Sequence, residues 1–298
     1  MNPRLIQIGH GGKRAWVYPE HGFQLYGFEQ DMGAAGTAAM VHEGDTLHEP
    51  ADRRYGNPVL FPNPGAAVTS HGPDTWAWKE KILTMPFHGV ARNLYWHVLE
   101  IGKEFVTGEL VPNSSSLVAF PFPYRLRMTY RLDDRGLVLD AELENTGKEG
   151  FPYALGFHPY IRAPLGVRGR VADCSVALPP GVELKSQNGW ETMTGQRFEA
   201  KRIRADEEIV TSIILAETKA RHLELEDHAN GLAARVSVEG SEKDFPVWVV
   251  WSESPQAQFV CLEPWTDGPN ALNRRETRRC EPGQVHRYQM VISVRKIG

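Results

Sequence analysis

The sequence predicts an all-β fold, arranged as a β-sandwich or a barrel. Apolar and polar residues alternate with a period of two along several short segments, which is typical of half-buried strands. Turns separate these segments, because 28 glycines and 21 prolines are spread along the 298 residues. No segment longer than about ten residues shows a helical face. A chain of this length requires larger sheets than those of an immunoglobulin domain.

The clearest predicted element is an antiparallel hairpin. In residues 124–132 the apolar side chains stand at even positions and the polar side chains at odd positions. The turn DDRG (133–136) follows, and residues 137–145 form a second alternating segment. Two such segments around a short turn predict a hairpin. The same pattern predicts further strands at residues 167–178, 222–227, 232–238, 247–251, 259–262 and 288–296.

Composition and charge exclude several classes of protein. Hydrophobic residues make up 41% and charged residues 23%, which excludes a largely disordered chain. The net charge of -4 argues against nucleic acid or an anionic membrane as a partner. No repeat at a fixed period and no low-complexity tract occurs, so we expect one domain over residues 1–298.

Cysteine usage and hydropathy predict a cytoplasmic protein. The chain has three cysteines and no CxxC pair, which indicates reduced thiols rather than a disulfide framework or a cysteine-based zinc site. The first residues lack the apolar segment of a signal peptide. No run of eighteen apolar residues occurs, so we expect no membrane span.

Two polar residues that precede prolines are candidates for catalysis. His158 stands in GFHPY (156–160) and Glu263 in CLEPW (261–265). Proline holds the preceding residue extended and lacks an N–H, so the strand ladder should stop there. This geometry presents an imidazole or a carboxylate at the end of a strand. Either residue could instead simply cap its strand by hydrogen bonding.

His88 and Arg92 in HGVAR (88–92) form a third candidate segment. The glycine after His88 leaves room for another group to approach, and Arg92 could bind a carboxylate, a phosphate or a sugar hydroxyl. The alternative is a core histidine and a surface arginine. Eight tryptophans also favour a sugar site, because the C–H face of a sugar packs on aromatic rings. We expect one or two of them at the site and the others in the core.

Metal and nucleotide sites receive less support. His222, Glu224 and Glu226 share one predicted strand face, with His228 just beyond, but this alternation also describes a solvated face. No HExxH motif, calcium loop, phosphate-binding glycine loop or GxSxG motif occurs. We therefore predict no metal and no cofactor.

Six short segments in a fixed order carry a resemblance to a known family. They are YPEHG (18–22), NPVLFP (57–62), HGVAR (88–92), GFHPY (156–160), LEPWT (262–266) and EPGQ (281–284). Together they resemble the aldose 1-epimerase (galactose mutarotase) family, including its hexose-6-phosphate mutarotase branch. The resemblance implies a large antiparallel β-sandwich of the galactose mutarotase type. It also implies exchange of the α and β anomers of a small-molecule sugar or sugar phosphate, without a cofactor.

The resemblance also implies roles for individual residues. Glu263 would remove the proton of the anomeric hydroxyl, and His158 would protonate the ring oxygen. The predicted substrate-binding residues are His88, Arg92, Asp206, Trp265 and Asn57. The family arginine that usually follows the FP dipeptide is absent after Phe61-Pro62, and Arg92, Arg54 or Lys79 could replace it.

The leading interpretation is therefore an aldose mutarotase. Two other interpretations stay open. One is a glycoside hydrolase, although the motifs supply one carboxylate and a histidine rather than two acidic groups. The other is a non-catalytic carbohydrate-binding β-sandwich, which would bind sugar without accelerating anomer exchange.

Overall fold

Two large antiparallel sheets form most of the computed structural model, which describes residues 5–20, 22–43, 54–206, 212–240 and 244–297. One sheet has nine strands and the other has eight, and a four-stranded sheet lies at the start of the chain. The predicted all-β fold is confirmed. No helix among these residues is long and apolar enough to cross a membrane.

The strands are short and follow one another with few helical interruptions. In chain order they are β1 (Ile6–His10), β2 (Lys13–Tyr18), β3 (Gln24–Asp31), β4 (Thr37–Ala39), β5 (Val59–Leu60), β6 (Val68–Thr69), β7 (Gly72–Pro73), β8 (Thr75–Trp78), β9 (Lys81–Thr84), β10 (His97–Ile101), β11 (Phe105–Leu110), β12 (Tyr124–Asp133), β13 (Gly136–Asn145), β14 (Phe151–Pro152), β15 (Gly156–Phe157), β16 (Tyr160–Arg162), β17 (Cys174–Leu178), β18 (Gly181–Gln187), β19 (Thr192–Phe198), β20 (Lys201–Arg204), β21 (Ile213–Ala216), β22 (His222–Asp227), β23 (Leu232–Val238), β24 (Val247–Trp251), β25 (Phe259–Trp265), β26 (Arg279–Cys280) and β27 (Val285–Lys296). The described helices are α1 (Ser114–Ala119) and 3-10 turns at Gly33–Ala35, Ala91–Asn93, Val171–Asp173, Asn188–Trp190 and Ala271–Asn273.

The two large sheets differ in strand order. The nine-stranded sheet has the order β10-β11-β12-β13-β27-β23-β22-β17-β20. The eight-stranded sheet has the order β19-β18-β21-β24-β25-β15-β5, and β16 also pairs with β25. Their inward side chains belong to one hydrophobic cluster, which includes Leu139 and Leu225 from the first sheet and Val250 and Leu262 from the second. The two sheets therefore pack face to face, as a sandwich does.

The predicted hairpin forms as expected. Strands β12 and β13 pair along their whole length, and Asp133 lies opposite Gly136, so Asp134 and Arg135 form a two-residue turn. Burial alternates strictly along β12, as the alternating sequence requires. The apolar side chains point into the core of the sandwich.

The prediction of a strand over residues 167–178 was wrong for its first half. Only Cys174–Leu178 is a strand, and Val171–Asp173 forms a 3-10 turn. Gly169 has a φ of 80°, a left-handed conformation that interrupts an extended chain. Val167 is 99% exposed, so its apolar side chain joins no sheet face.

Candidate active site

A cavity of about 380 Å³ lies on the face of the eight-stranded sheet that points away from the main core. Side chains on β25 alternate between the two faces. Val260 and Leu262 join the main core, whereas Glu263 and Trp265 line the cavity. Strict alternation along a strand thus places a carboxylate on the outer face, between apolar neighbours.

Strands β24 and β21 place further side chains on the same face of the sheet as Glu263. Val249 on β24 lies opposite Glu263, and Ile214 on β21 lies opposite Val249. Residues that face each other across an antiparallel pair share one side of the sheet. Val249 and Ile214 therefore line the cavity beside Glu263.

His158 and Glu263 form a close pair in this cavity. The Nε2 atom of His158 lies 3.4 Å from Oε1 of Glu263, and their side chains are 6% and 2% exposed. The N–H of His158 donates to Oδ1 of Asn57 at 3.0 Å, which fixes the backbone that carries the imidazole. The structure thus brings together the two predicted catalytic residues, which stand far apart in the sequence.

The prolines that follow His158 and Glu263 affect the sheet differently: the strand is interrupted at Pro159 but not at Pro264. As predicted, the ladder is interrupted at His158-Pro159, because β15 ends at Phe157 and β16 begins at Tyr160. The predicted stop at Pro264 was wrong, because β25 continues through it to Trp265. The N–H groups of Leu262 and Thr266 point toward the β15 and β16 side. By alternation, the N–H that Pro264 lacks would point there too, toward Phe157, so one bond to β15 is missing. Pairing with β24 on the other side does not use that N–H and continues through Pro264.

Burial shifts the two pKa values in opposite directions. Desolvation, with the nearby charge of Arg92, lowers the pKa of His158 from 6.5 to about 3. Desolvation raises the pKa of Glu263 well above 4.5, although Trp265 and Arg92 oppose this shift. Between these two pKa values the pair holds one proton in total.

Trp265 orients the carboxylate of Glu263. The indole N–H of Trp265 donates to Oε2 of Glu263 at 3.1 Å, which leaves Oε1 toward His158. The same indole lines the cavity, as predicted for a substrate-binding residue. Trp265 thus contributes both a wall for a ligand and a hydrogen bond to the predicted base.

His88 lines the cavity as a neutral hydrogen-bond donor. Its Nδ1 accepts a hydrogen bond from the N–H of Gly65 at 2.9 Å, so its proton is on Nε2. Burial lowers the pKa of His88 well below 6.5, which keeps the ring uncharged. The residue that follows must be glycine, because Gly89 has a φ of 79° and a Cβ there would lie 2.2 Å from the carbonyl oxygen of Phe61.

Two of the three residues that could replace the absent family arginine border the cavity. Arg54 and Arg92 both line it, and Arg54 forms an ion pair with Glu253. The third alternative, Lys79, lies elsewhere and pairs with Glu149 at 2.6 Å. Gly22 of the YPEHG segment packs directly against the backbone of Arg92. A Cβ at this position would lie only 2.6 Å from the carbonyl oxygen of Arg92, so the close packing requires glycine. His21 of that segment lies outside the described residues.

Aromatic side chains form the remaining walls. Three tryptophans line the cavity, one more than expected: Trp190, Trp251 and Trp265. Tyr160 stacks on His158 with ring centroids 4.6 Å apart. Sequence reasoning assigned no individual role to Tyr160, which stands in the GFHPY segment, or to Trp251, which ends the predicted strand 247–251. No sequence signal pointed to Trp190, which stands in a polar turn.

Two predicted substrate-binding residues do not line the cavity. Asn57 is fully buried and supports the backbone of His158 instead. Asp206 lies at the end of β20 on the nine-stranded sheet and pairs with Arg204 at 3.0 Å. The Asp206 prediction was therefore wrong, because its segment joins the other sheet of the sandwich.

The alternating His222, Glu224 and Glu226 segment forms a charged strand face. Glu224 accepts hydrogen bonds from Arg235 and Arg295 at 2.7 and 2.9 Å. Glu226 pairs with Arg202 at 2.5 Å. These carboxylates are bound by guanidinium groups, which supports the solvated-face interpretation over a metal cluster.

Comparison with known proteins identifies the family. The profile of the aldose 1-epimerase family matches residues 4–293, and the chain belongs to this family. It is 27% identical over 242 residues to the chromosomal LacX protein of Lactococcus lactis subsp. lactis, which covers 72% of this chain and 76% of LacX.

Solved structures show the same fold. The Slr1438 protein of Synechocystis sp. PCC 6803 has a TM-score of 0.82 at 22% identity, covering 99% of this chain and 97% of that one. A galactose mutarotase-like protein from Lactobacillus casei has a TM-score of 0.80 at 21% identity, covering 98% and 100%. The predicted galactose mutarotase type of β-sandwich is therefore confirmed.

Proposed function

We propose that this protein is an aldose 1-epimerase that interconverts the α and β anomers of a hexose or a hexose phosphate. The observation that carries the proposal is the buried pair of His158 and Glu263, with 3.4 Å between Nε2 and Oε1, in an aromatic cavity. An acid and a base at hydrogen-bonding reach of one substrate are what general acid–base catalysis requires.

The spacing of the pair suits the chemistry of ring opening. The anomeric hydroxyl oxygen and the ring oxygen are bonded to the same carbon, so the base and the acid must also lie close together. Glu263 removes the proton from the hydroxyl as His158 delivers a proton to the ring oxygen, and the C1–ring oxygen bond breaks to give the aldehyde. After rotation about C1–C2, the same two groups act in reverse and close the other anomer.

The protonation states of the pair fit a one-proton cycle. Between its two pKa values the ligand-free pair holds one proton, and this proton favours Glu263 because desolvation disfavours both charged forms. Transfer of that proton from Glu263 to His158 produces the carboxylate and the imidazolium that the reaction uses. Arg92 favours the carboxylate, and the sugar supplies polar groups that water no longer offers. Each turnover returns the pair to one proton.

The remaining polar groups bind and orient the sugar. His88 donates its Nε2–H to a sugar oxygen, because Gly65 fixes its tautomer. Arg54 and Arg92 are donors for a hydroxyl or a phosphate. A hexose phosphate substrate would bind more weakly as salt concentration rises, whereas a neutral hexose would not.

Glycoside hydrolysis receives less support from this site. It normally uses two carboxyl groups that flank the scissile bond. Among the described cavity-lining residues, Glu263 is the single carboxylate. The second acidic partner that hydrolysis needs is not among them.

Exchange spectroscopy tests the proposal directly. We expect the protein to accelerate α/β exchange of at least one member of a panel of hexoses and hexose 6-phosphates, measured by NMR. Glu263→Gln and His158→Asn should each lower the exchange rate by about 10²–10⁴-fold while sugar binding persists, because each removes one positioned proton carrier. Asp206→Asn, on the other sheet, is the matched control and should leave the rate unchanged.

Three results would contradict the proposal. Folded wild-type protein that binds sugar without accelerating exchange would indicate a non-catalytic carbohydrate-binding sandwich. An unchanged rate in Glu263→Gln would remove the general base. A rate loss in His158→Asn that follows a collapsed melting curve would make His158 structural.

A further inference from the structure

A buried thiol lies directly beside the acid–base pair. Cys261 precedes Glu263 by two residues on β25, so both side chains are on the same face of the sheet. One ligand atom from each of His158, Cys261 and Glu263 lies within 4.8 Å of the other two, and all three residues are buried. We propose that these three side chains form a binding site for a thiophilic divalent cation such as Zn²⁺ or Cd²⁺. A cation there would block the acid–base pair.

The distances are close to those of a zinc site. Zinc bonds of about 2.0–2.3 Å in tetrahedral geometry separate the ligand atoms by about 3.3–3.8 Å. The Nε2 of His158 and Oε1 of Glu263 are already 3.4 Å apart. No two of the three ligand atoms are more than 4.8 Å apart, so the thiol of Cys261 reaches the same range with a movement of at most about 1 Å. Small side-chain adjustments therefore complete the site.

The donor set determines which cations fit. An imidazole nitrogen, a thiolate sulfur and a carboxylate oxygen are all established zinc ligands. Magnesium and calcium prefer sets made entirely of oxygen atoms. Three protein ligands leave a fourth position for water on the cavity side. The thiol proton of Cys261 and the proton held by Glu263 are both released to solvent as the cation binds, because the metal ligands are the thiolate and the carboxylate.

The surroundings leave the required atoms available. Trp265 holds Oε2 of Glu263, so Oε1 is the oxygen presented to a cation. No described residue hydrogen-bonds to Nδ1 of His158, so the proton can reside there and leave the Nε2 lone pair for a metal. A cation can enter through the cavity, because His158 and Glu263 both line it.

Bound cation would act as a reversible inhibitor. Coordination occupies the lone pairs that would carry protons in ring opening, so the pair can neither donate nor accept. This consequence rests on the proposed function, whereas cation binding does not. The two parts are therefore tested by separate measurements.

Cadmium titration tests the binding site. Cd²⁺ added to the reduced wild-type protein should produce the ultraviolet charge-transfer absorption of a cadmium–thiolate bond, saturating at one cation per chain. Cys261→Ala should weaken Cd²⁺ binding at least about tenfold, since loss of a ligand costs at least as much as loss of a supporting group. Cys174→Ala, at another fully buried cysteine, is the matched control and should bind like the wild type. Mg²⁺ should give no binding.

Inhibition is measured on the same samples. The anomer-exchange rate of each protein is compared with its own cation-free rate. Zn²⁺ should inhibit the wild type and the Cys174→Ala variant, and at least about tenfold more Zn²⁺ should be needed for Cys261→Ala.

The outcomes separate the two proposals. Absence of a cadmium–thiolate band in folded wild type, or an equal band in Cys261→Ala, would overturn the metal site whatever the activity. A Cys261-dependent band in a protein without exchange activity would uphold the site and reject only the enzymatic function. If Cys261→Ala fails to fold, Cys261→Ser takes its place, because serine nearly preserves the volume but gives no cadmium–thiolate band. A band of unchanged intensity in Cys261→Ser would overturn the site.

Discussion

The charge of Arg92 affects the protonation of the acid–base pair formed by His158 and Glu263. Its positive charge lowers the pKa of His158 and that of Glu263, in each case as a smaller effect than desolvation. Buried charges interact strongly because little solvent screens them. Arg92 therefore moves the pH range in which the pair holds one proton to lower pH.

Replacement of Arg92 should move the pH profile of exchange to higher pH. In Arg92→Leu the pKa of both groups rises, because a positive charge no longer opposes protonation. The pH window in which the pair holds one proton then moves to higher pH. Activity should therefore fall at the acid end of the profile and persist further at the alkaline end. The profile is measured from pH 4 to 9, with the uncatalysed rate subtracted.

Arg202→Leu is the control for this experiment. Arg202 pairs with Glu226 on the other sheet, so its loss should leave the pH profile in place. A profile of Arg92→Leu that does not move, or that moves to lower pH, would contradict the assigned role of Arg92.

A protruding hairpin forms one wall of the cavity. Strands β18 and β19 pair over seven residues, but β18 joins the rest of its sheet through only Val182 and Glu183. The turn at Asn188–Trp190 connects the two strands and brings Trp190 to the cavity. The carbonyl of Trp190 accepts a hydrogen bond from the buried amide of Asn270 at 3.0 Å. The rest of the protein thus holds the hairpin tip in place.

The backbone of this tip supports a role in binding. Trp190 has a φ of 81°, a left-handed conformation that is unfavourable for a bulky residue. Such strained residues cluster at functional sites, where the surrounding structure maintains them. Trp190 is therefore a candidate platform for the apolar face of the sugar.

Removal of the Trp190 ring should weaken substrate binding without stopping the chemistry. An aromatic contact contributes about 0.5–1.5 kcal/mol, so Trp190→Ala should raise KM by about 2- to 12-fold with kcat nearly unchanged. Polarimetry on freshly dissolved α-anomer measures both constants. Trp78→Ala, at a tryptophan of the β8–β9 hairpin outside the cavity, should leave KM unchanged. A fall in kcat with constant KM would show that Trp190 does not act through binding.

At the scale of the whole molecule, one hydrophobic cluster joins the two large sheets. It includes residues from Ile8 to Ile292 and side chains from both sheets. A continuous core is expected to unfold as one unit. The single domain over residues 1–298 stays a prediction, and this core supports it.

Unfolding experiments test that prediction. Leu139→Ala in the nine-stranded sheet and Leu262→Ala in the eight-stranded sheet each remove a fully buried side chain. Each should lower the free energy of unfolding by about 2–5 kcal/mol and shift a single transition. Tryptophan fluorescence and far-ultraviolet circular dichroism should report the same midpoint. Two transitions, of which each substitution moves only one, would show two independent units.

Local pattern accounts for much of what could be predicted. The segments 222–227, 232–238 and 247–251 match strands β22, β23 and β24 residue for residue. In β22 and β23 the reason is that a strand with one buried face must alternate in polarity. Strand β24 is instead a short apolar run that is buried on both faces. Residues 167–178 failed because the pattern does not reveal a left-handed glycine within the segment. At Pro264 the strand continued because its pairing with β24 does not use the missing N–H.

The sequence by itself determined the all-β class, the hairpin over 124–145 and the break in the strand ladder at His158-Pro159, because polarity period and the missing N–H of proline act over a few residues. Only the tertiary structure decided that His158 lies 3.4 Å from Glu263, that Trp190 and Arg54 join them, and that Asp206 does not. Strand register and sheet order depend on contacts between distant segments. The opposed pKa shifts of the pair arise from shared burial, which no single segment encodes.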